Sequence, residues 1–344
     1  MQAWPNVGDF RGGALESALV VTVLSVDPSR PDLRALSPAA GAMRLGGLVA
    51  FPTETVYGLG AHARDAASVA RVFAAKGRPA DNPLIVHLHA AHHLTDVTTL
   101  VTPLALALAE RWWPGPLTIV LDADPTLPAE TTGGLPTVAV RVPDHPVALA
   151  LLAAADVPVA APSANRSGRP SPTTAAHVLA DLGDAVDYIV DGGTCRVGVE
   201  STVVDARGAV PIVLREGAVT REALGLDPDP GDAPTGDTAA SPGTRYRHYA
   251  PDCAVEVAAV GAGAAVAARH AEEGRRVGLL GPDPAPEGIV GLARTPDAAA
   301  LARALYDALR AAETAGLDLV VIEAVASVGL GRAVMDRVHR AAAG

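Results

Sequence analysis

GLVAFPTETVYGLGAHARDAASVARVFAAKGRPADNPLIVHL, residues 47–88, reads as strand, polar loop, helix, Gly/Pro loop and strand in one unbroken run. Residues 47–52 are short, apolar and closed by proline, as a buried strand is. Residues 66–75 carry Val69, Val72 and Phe73 at the three- and four-residue spacing of an amphipathic helix. Residues 84–88 alternate like a second strand. A strand–helix–strand unit of this length predicts an α/β fold. Its chemistry-bearing residues fall in the two loops, and the second loop holds the chain's one lysine, Lys76, among 27 basic residues. Lys76 and Arg78 stand two positions apart between Gly77, Pro79 and Pro83, an arrangement suited to clamping phosphate oxygens. A compact ammonium on a flexible stem is not interchangeable with a guanidinium.

The same alternation extends outward. Strands are predicted at 20–26, 117–121, 137–142, 158–161, 188–191, 201–205 and 211–215, with helices at 33–45, 103–112, 147–155 and 173–182. DPDPGDAPTGDTAASPG, residues 227–243, has almost nothing to bury and reads as a linker. Beyond it, strands at 254–260, 277–280, 289–292 and 317–324 interleave with helices at 262–273, 296–315 and 331–342, a small parallel, Rossmann-like unit. The GxGxxG of dinucleotide sites is missing there, and Gly261-Ala262-Gly263 reads as a turn and helix start. The division expected is a catalytic domain at 20–226, a linker acting as a lid at 227–251 and a second domain at 252–344.

With 344 residues, 49% of them hydrophobic and 3% aromatic, the core must be built from aliphatic side chains. No apolar run reaches the roughly 18 residues of a membrane span, and residues 1–30 lack the pattern of a signal peptide. Cys195 and Cys253 make neither a disulfide framework nor a metal cluster. A cytoplasmic location is expected. A net charge of −11 argues against a protein that coats nucleic acid, yet suits a small polyanion held by a few local cations. P-loop, GxSxG, HExxH and CxxC motifs are all lacking.

PTETVYGLG (52–60) follows a strand, where open α/β sheets place ligands; its threonines suit either a ligand or a helix cap. His87, inside an apolar strand, is either a core histidine or a ligand-facing one, while His92 and His93 read as solvated surface. WWPGPLT (112–118) is a rigid structural turn with tryptophans packed under the site. Arg141 lies on one strand face with Thr137 and Ala139, and requires an anion, either a structural acid or a ligand's carboxylate. APSANRSGRPS (161–171) offers small donors, as a ribose-phosphate cradle needs. GVESTVVD (198–205) and LREG (214–217) again set polar residues at strand edges.

Together these blocks, with TVAVRVPDHP (137–146), SPGTRYRHYAP (241–251) and GLGRAVMDR (329–337), strongly resemble the YrdC-like threonylcarbamoyladenylate synthases in their two-domain form. Thr244 stands where that family usually has methionine. The resemblance implies a YrdC-like twisted mixed sheet, a linker and a small Rossmann-like α/β domain. It implies synthesis of threonylcarbamoyl-AMP and pyrophosphate from L-threonine, bicarbonate and ATP with Mg²⁺. The product would serve a tRNA threonylcarbamoyl transferase complex that modifies adenosine beside the anticodon. Carried over residue by residue, Thr55, His87, Arg141, Ala161 and Ser201 would hold threonine. Arg78, Asn82, Thr137, Ser163, Ser171 and Arg215 would hold ATP, helped by Lys76 and Asn165. Lys76 and Arg78 would also be catalytic, and Tyr246, Arg247 and His248 would cover the nucleotide. No metal-binding side chains are expected, nor membrane or stable nucleic-acid binding. The rival readings are a double-stranded-RNA-binding factor of the same fold and the carbamoyl-adenylating domain of hydrogenase maturation, whose zinc-finger cysteines have no counterpart here.

Overall fold

A computed structural model describes residues 21–227 and 249–343. The expected contacts of Tyr246, Arg247 and His248, and most of the linker, lie outside the described residues. In chain order the first unit runs β1 (Thr22–Ser25), α1 (Leu33–Arg44), β2 (Val49–Phe51), β3 (Gly58–His62), α2 (Ala66–Lys76) and β4 (Ile85–His87). It continues with α3 (Pro103–Trp112), β5 (Leu117–Asp122), α4 (Ala129–Thr132), β6 (Thr137–Arg141), α5 (Pro146–Ala155) and β7 (Val159–Ala160). It closes with α6 (Ala175–Leu182), β8 (Tyr188–Asp191), β9 (Thr202–Asp205) and β10 (Ile212–Arg215). These strands form one mixed sheet in the order β1–β8–β2–β3–β7–β4–β6–β5–β9–β10.

Local chemistry sets the boundaries. Asp32 and Asp65 cap α1 and α2 by accepting from the backbone N–H groups of Arg34 and Ala67. Gly77, at φ +61°, ends α2 in the left-handed region and turns the chain into the Lys76–Pro83 loop. β2 is buried on both faces: Ala50 joins one apolar cluster and Val49 and Phe51 the other. Strand β3 begins inside the run 52–60 that the sequence reading takes as a polar loop, because glycine ordinarily disfavours strands. Here close packing demands it, since a Cβ on Gly60 would stand 2.8 Å from Val159 and 2.9 Å from Phe51.

The second unit is β11 (Ala254–Ala258), α7 (Gly263–Glu272), β12 (Val277–Gly281), β13 (Val290–Arg294), α8 (Ala298–Thr314), β14 (Leu319–Glu323) and α9 (Leu330–Ala342). Its strands are parallel in the order β11–β14–β12–β13. Gly261 and Gly263 form the turn into α7, and their N–H groups donate to the Glu323 carboxylate at 2.8 and 2.9 Å. That carboxylate occupies the place where a dinucleotide-binding turn would receive a phosphate. The two units share a core: Val56 and Val199 pack in one cluster with Leu301, Leu305 and Met335 of α8 and α9. Gly198 presses so closely on α8 that a Cβ there would lie 2.3 Å from the Ala302 carbonyl oxygen.

Candidate active site

The loops β2–β3, α2–β4, β7–α6 and β8–β9 converge with Tyr249 around a cleft enclosing about 660 Å³ of empty space, part of it open to solvent.

The Arg141 guanidinium lies almost wholly buried at the end of β6. Its Nε donates to the Gly115 carbonyl (3.1 Å) and its Nη1 to Thr55 Oγ1 (3.0 Å). Its Nη2 stands 2.6 Å from Glu54 Oε2, an ion pair of two buried groups whose alignment is not that of a hydrogen bond. Arg141 thus has the structural acid partner of one sequence alternative, and it also lines the cleft. The Trp112–Thr118 turn supports it from below through Gly115, while the Trp113 ring N–H holds the turn by donating to the Leu117 carbonyl (2.7 Å). Thr53 shapes the preceding turn, its hydroxyl donating to the Val56 carbonyl (2.6 Å) and accepting from Thr55 and Val56 N–H.

His87 stands on β4 with its ring edge-on to Phe51, centroids 6.0 Å apart. Its Nδ1 lies 3.1 Å from the Ile85 carbonyl, which only accepts, so Nδ1 carries the proton and Nε2 is left as an acceptor. Burial, reinforced by the Arg141 charge, lowers its pKa to about 3. The ring is therefore neutral throughout the physiological range. Ala161 and Ser201 also line the cleft.

Arg78, Ser163, Asn165, Ser171 and Arg215 line the same cleft. Arg78 Nη2 donates to the Pro83 carbonyl at 3.2 Å. Arg215 donates to the Ser201 carbonyl (2.8 Å) and hydroxyl (3.1 Å). Lys76, Asn82 and Thr137 are buried behind the wall rather than part of it. Lys76 Nζ donates to the Ser163 carbonyl at 2.6 Å and to the Asn165 carbonyl, holding the cradle loop from beneath. Burial, then the neighbouring Arg78 charge, push the Lys76 ammonium well below its ordinary pKa.

Sequence reasoning singled out neither Glu200 nor Tyr249, although both lie inside quoted blocks. Glu200 accepts from the Ser171 hydroxyl (2.8 Å), from the Tyr306 hydroxyl (3.0 Å to each oxygen) and from Arg337 Nε (3.1 Å). Burial works against its charge. The Arg337 and Arg215 guanidiniums and the Ser171 hydroxyl outweigh it and hold the pKa below the ordinary value. Tyr249 sits at φ +69° and stacks on Tyr306 with ring centroids 5.3 Å apart. A non-glycine residue held in that region costs free energy and marks a place the surroundings insist upon. Tyr306 and Arg337 belong to the second unit, and no local pattern announces that they reach the first.

Comparison with known proteins agrees with this architecture. The sequence pattern of the Sua5/YciO/YrdC family, described as "Telomere recombination", matches residues 41–217, and that of the "Threonylcarbamoyl-AMP synthase, C-terminal domain" matches residues 214–343. The chain belongs to the Sua5/YrdC family, in its two-domain form. Among its relatives, the threonylcarbamoyl-AMP synthase of Pyrococcus abyssi is 44% identical, over 88% of this chain and 92% of that protein. The threonylcarbamoyl-AMP synthase of Bacillus subtilis is 40% identical over 90% of this chain and 93% of its own length. The crystal structure of P. abyssi Sua5 complexed with L-threonine superimposes with a TM-score of 0.85 at 42% identity, covering 94% of this chain and 98% of that one. Among the described residues no helix is long and apolar enough to cross a membrane.

Proposed function

We propose that this chain is a threonylcarbamoyl-AMP synthase, joining L-threonine, bicarbonate and ATP with release of pyrophosphate and water. The observation that carries the residue-level reading is convergence on one cleft. Thr55, His87, Arg141, Ala161 and Ser201 line it together with Arg78, Ser163, Asn165, Ser171 and Arg215, though they come from separate segments of the chain.

In this reading Arg141 binds the threonine carboxylate, with Glu54 and Gly115 fixing its plane. The neutral His87 and the Thr55 hydroxyl orient the amino acid. The threonine amine takes its carbon from bicarbonate with loss of water, giving a carbamate. A carbamate oxygen then attacks the α-phosphorus of ATP, and the bond to pyrophosphate breaks. Two anions must meet, so cations positioned beforehand lower the barrier. Arg78 and Arg215 supply that charge, while Lys76 braces the Ser163–Asn165 cradle. Asn82 and Thr137 support the wall from behind.

Mg²⁺ belongs to this reading as companion of the triphosphate, since it binds through phosphate oxygens and keeps several waters. Glu200, the carboxylate in the cleft wall, spends its oxygens on Ser171, Tyr306 and Arg337 and leaves no ligand for it. Tyr246 and His248 remain proposed nucleotide covers, next in the chain to Tyr249. A cytoplasmic location and delivery of the product to a tRNA threonylcarbamoyl transferase complex complete the proposal.

The test is pyrophosphate release by purified protein given ATP, bicarbonate and L-threonine. Release is expected only with all three; release that ignores threonine would refute the reading.

A further inference from the structure

β4 ends at His87, and the chain then makes a short 3₁₀ helical turn, Ala91–Asp96. His89 leads into the turn, and His92 and His93, read from sequence as solvated surface, stand in it. The structure draws the three together. His89 Nε2 and His93 Nε2 are 3.1 Å apart, and one ring nitrogen from each of the three histidines lies within 4.8 Å of the others. His93 Nδ1 lies 2.7 Å from Asp96 Oδ2. The turn is anchored by Leu94, which is buried, and by Arg64, which donates to the Asp96 carbonyl. His89 and His93 are half-buried and His92 is exposed, so the cluster is reachable from solvent.

Metal geometry matches this arrangement. A tetrahedral ion bound at about 2.0–2.1 Å sets neighbouring ligand nitrogens roughly 3.3 Å apart. The His89–His93 pair already has that separation, and rotation of the exposed His92 side chain closes the rest. The Asp96 carboxylate holds the proton on His93 Nδ1, which turns the Nε2 lone pair toward His89. A carboxylate behind a histidine is the usual outer support of such a ligand. Three imidazoles suit late first-row divalent ions, whereas Mg²⁺ and Ca²⁺ favour oxygen donors.

We propose that His89, His92 and His93 form a binding site for one late first-row divalent cation of the Zn²⁺ class, with water completing the tetrahedron and Asp96 orienting His93. None of these side chains lines the cleft. The ion staples the Ala91–Asp96 turn to the end of the strand that carries His87.

Full-length, untagged protein stripped with chelator is titrated with ZnCl₂ by calorimetry, and with Co²⁺ while the visible spectrum is recorded. One Zn²⁺ per chain is expected at micromolar affinity or tighter, with the intense visible bands of four-coordinate Co²⁺ and a rise in melting temperature on adding Zn²⁺. His93→Ala should weaken binding at least a hundredfold, and Asp96→Asn about tenfold. His92→Ala, at an exposed position that does not threaten folding, should also weaken binding at least tenfold while leaving threonine-dependent pyrophosphate release unchanged. Failure of the wild type to bind at micromolar Zn²⁺, or binding that survives His92→Ala and His93→Ala, overturns the proposal. Neither result bears on the synthase activity, which is read separately.

Discussion

Arg141 shows how one side chain serves two masters at the scale of the residue. Glu54 stabilises its charge in the interior, while its cleft face is offered to an anion. Arg141→Ala leaves Glu54 buried without a cation, which costs about 3–5 kcal/mol. Adding Glu54→Gln should restore much of that stability in urea unfolding but none of the threonine affinity, so the KM for threonine stays raised far more than that for ATP. Equal effects on the two substrates would contradict the assigned role. His87 gives a pH signature. The folded protein keeps the ring unprotonated down to about pH 3, whereas the unfolded chain takes the proton near its ordinary 6.5. The unfolded state therefore binds more protons between those values, and stability that is complete above about pH 6.5 is lost as the pH falls toward 3. His87→Asn, which keeps a donor for the Ile85 carbonyl, should unfold with a weaker acid dependence than wild type over that window.

Among elements, the residues entering β9 and the loop after β10 meet closely beside the cleft. A Cβ on Gly217 would stand 2.3 Å from both the Ser201 carbonyl carbon and the Thr202 nitrogen. Gly217→Ala must push Ser201 and its partners Thr118 and Arg215 out of place. A loss of about 1–3 kcal/mol in stability is expected, together with at least a tenfold loss of turnover; wild-type kinetics would show that the joint has slack. The helices other than the four-residue α4, and the strands other than β3, were legible from their apolar pattern. Strand β3 was not, since its glycines reflect crowding between β2 and β7 rather than any local preference.

Taken as a whole, the molecule places its second unit against the cleft wall at Glu200 and Ser171. Arg337, fully buried in α9, and Tyr306, from α8, hold Glu200, which holds Ser171. Nearby, Arg310 of α8 donates to both oxygens of Asp181 at the end of α6, at 3.1 and 2.7 Å. The second unit is in this sense part of the site's frame. Arg337→Met should raise the KM for ATP more than that for threonine and destabilise by about 3–5 kcal/mol, because it strips a buried carboxylate of its counter-charge. Combining it with Glu200→Gln should recover stability in thermal unfolding. An unchanged ATP requirement in the single variant would separate the domain interface from nucleotide binding.

What the sequence by itself determined was local or self-announcing. Apolar periodicity declared the α/β units, and long blocks such as KGRPADNPLIVHL and APSANRSGRPS declared the family and contain several of the residues that line the cleft. Tertiary structure alone decided which polar residues face the cleft and which brace it: Lys76 sits behind the wall with its Nζ on two carbonyls, while Glu200 and Tyr249 stand in it. It alone decided that residues 306 and 337 complete a site begun more than a hundred positions earlier, and that His89, His92 and His93 meet. The physical reason is the same in each case. Periodicity reports whether a side chain is buried, but only the packing of distant elements sets which charged or polar partner it finds there.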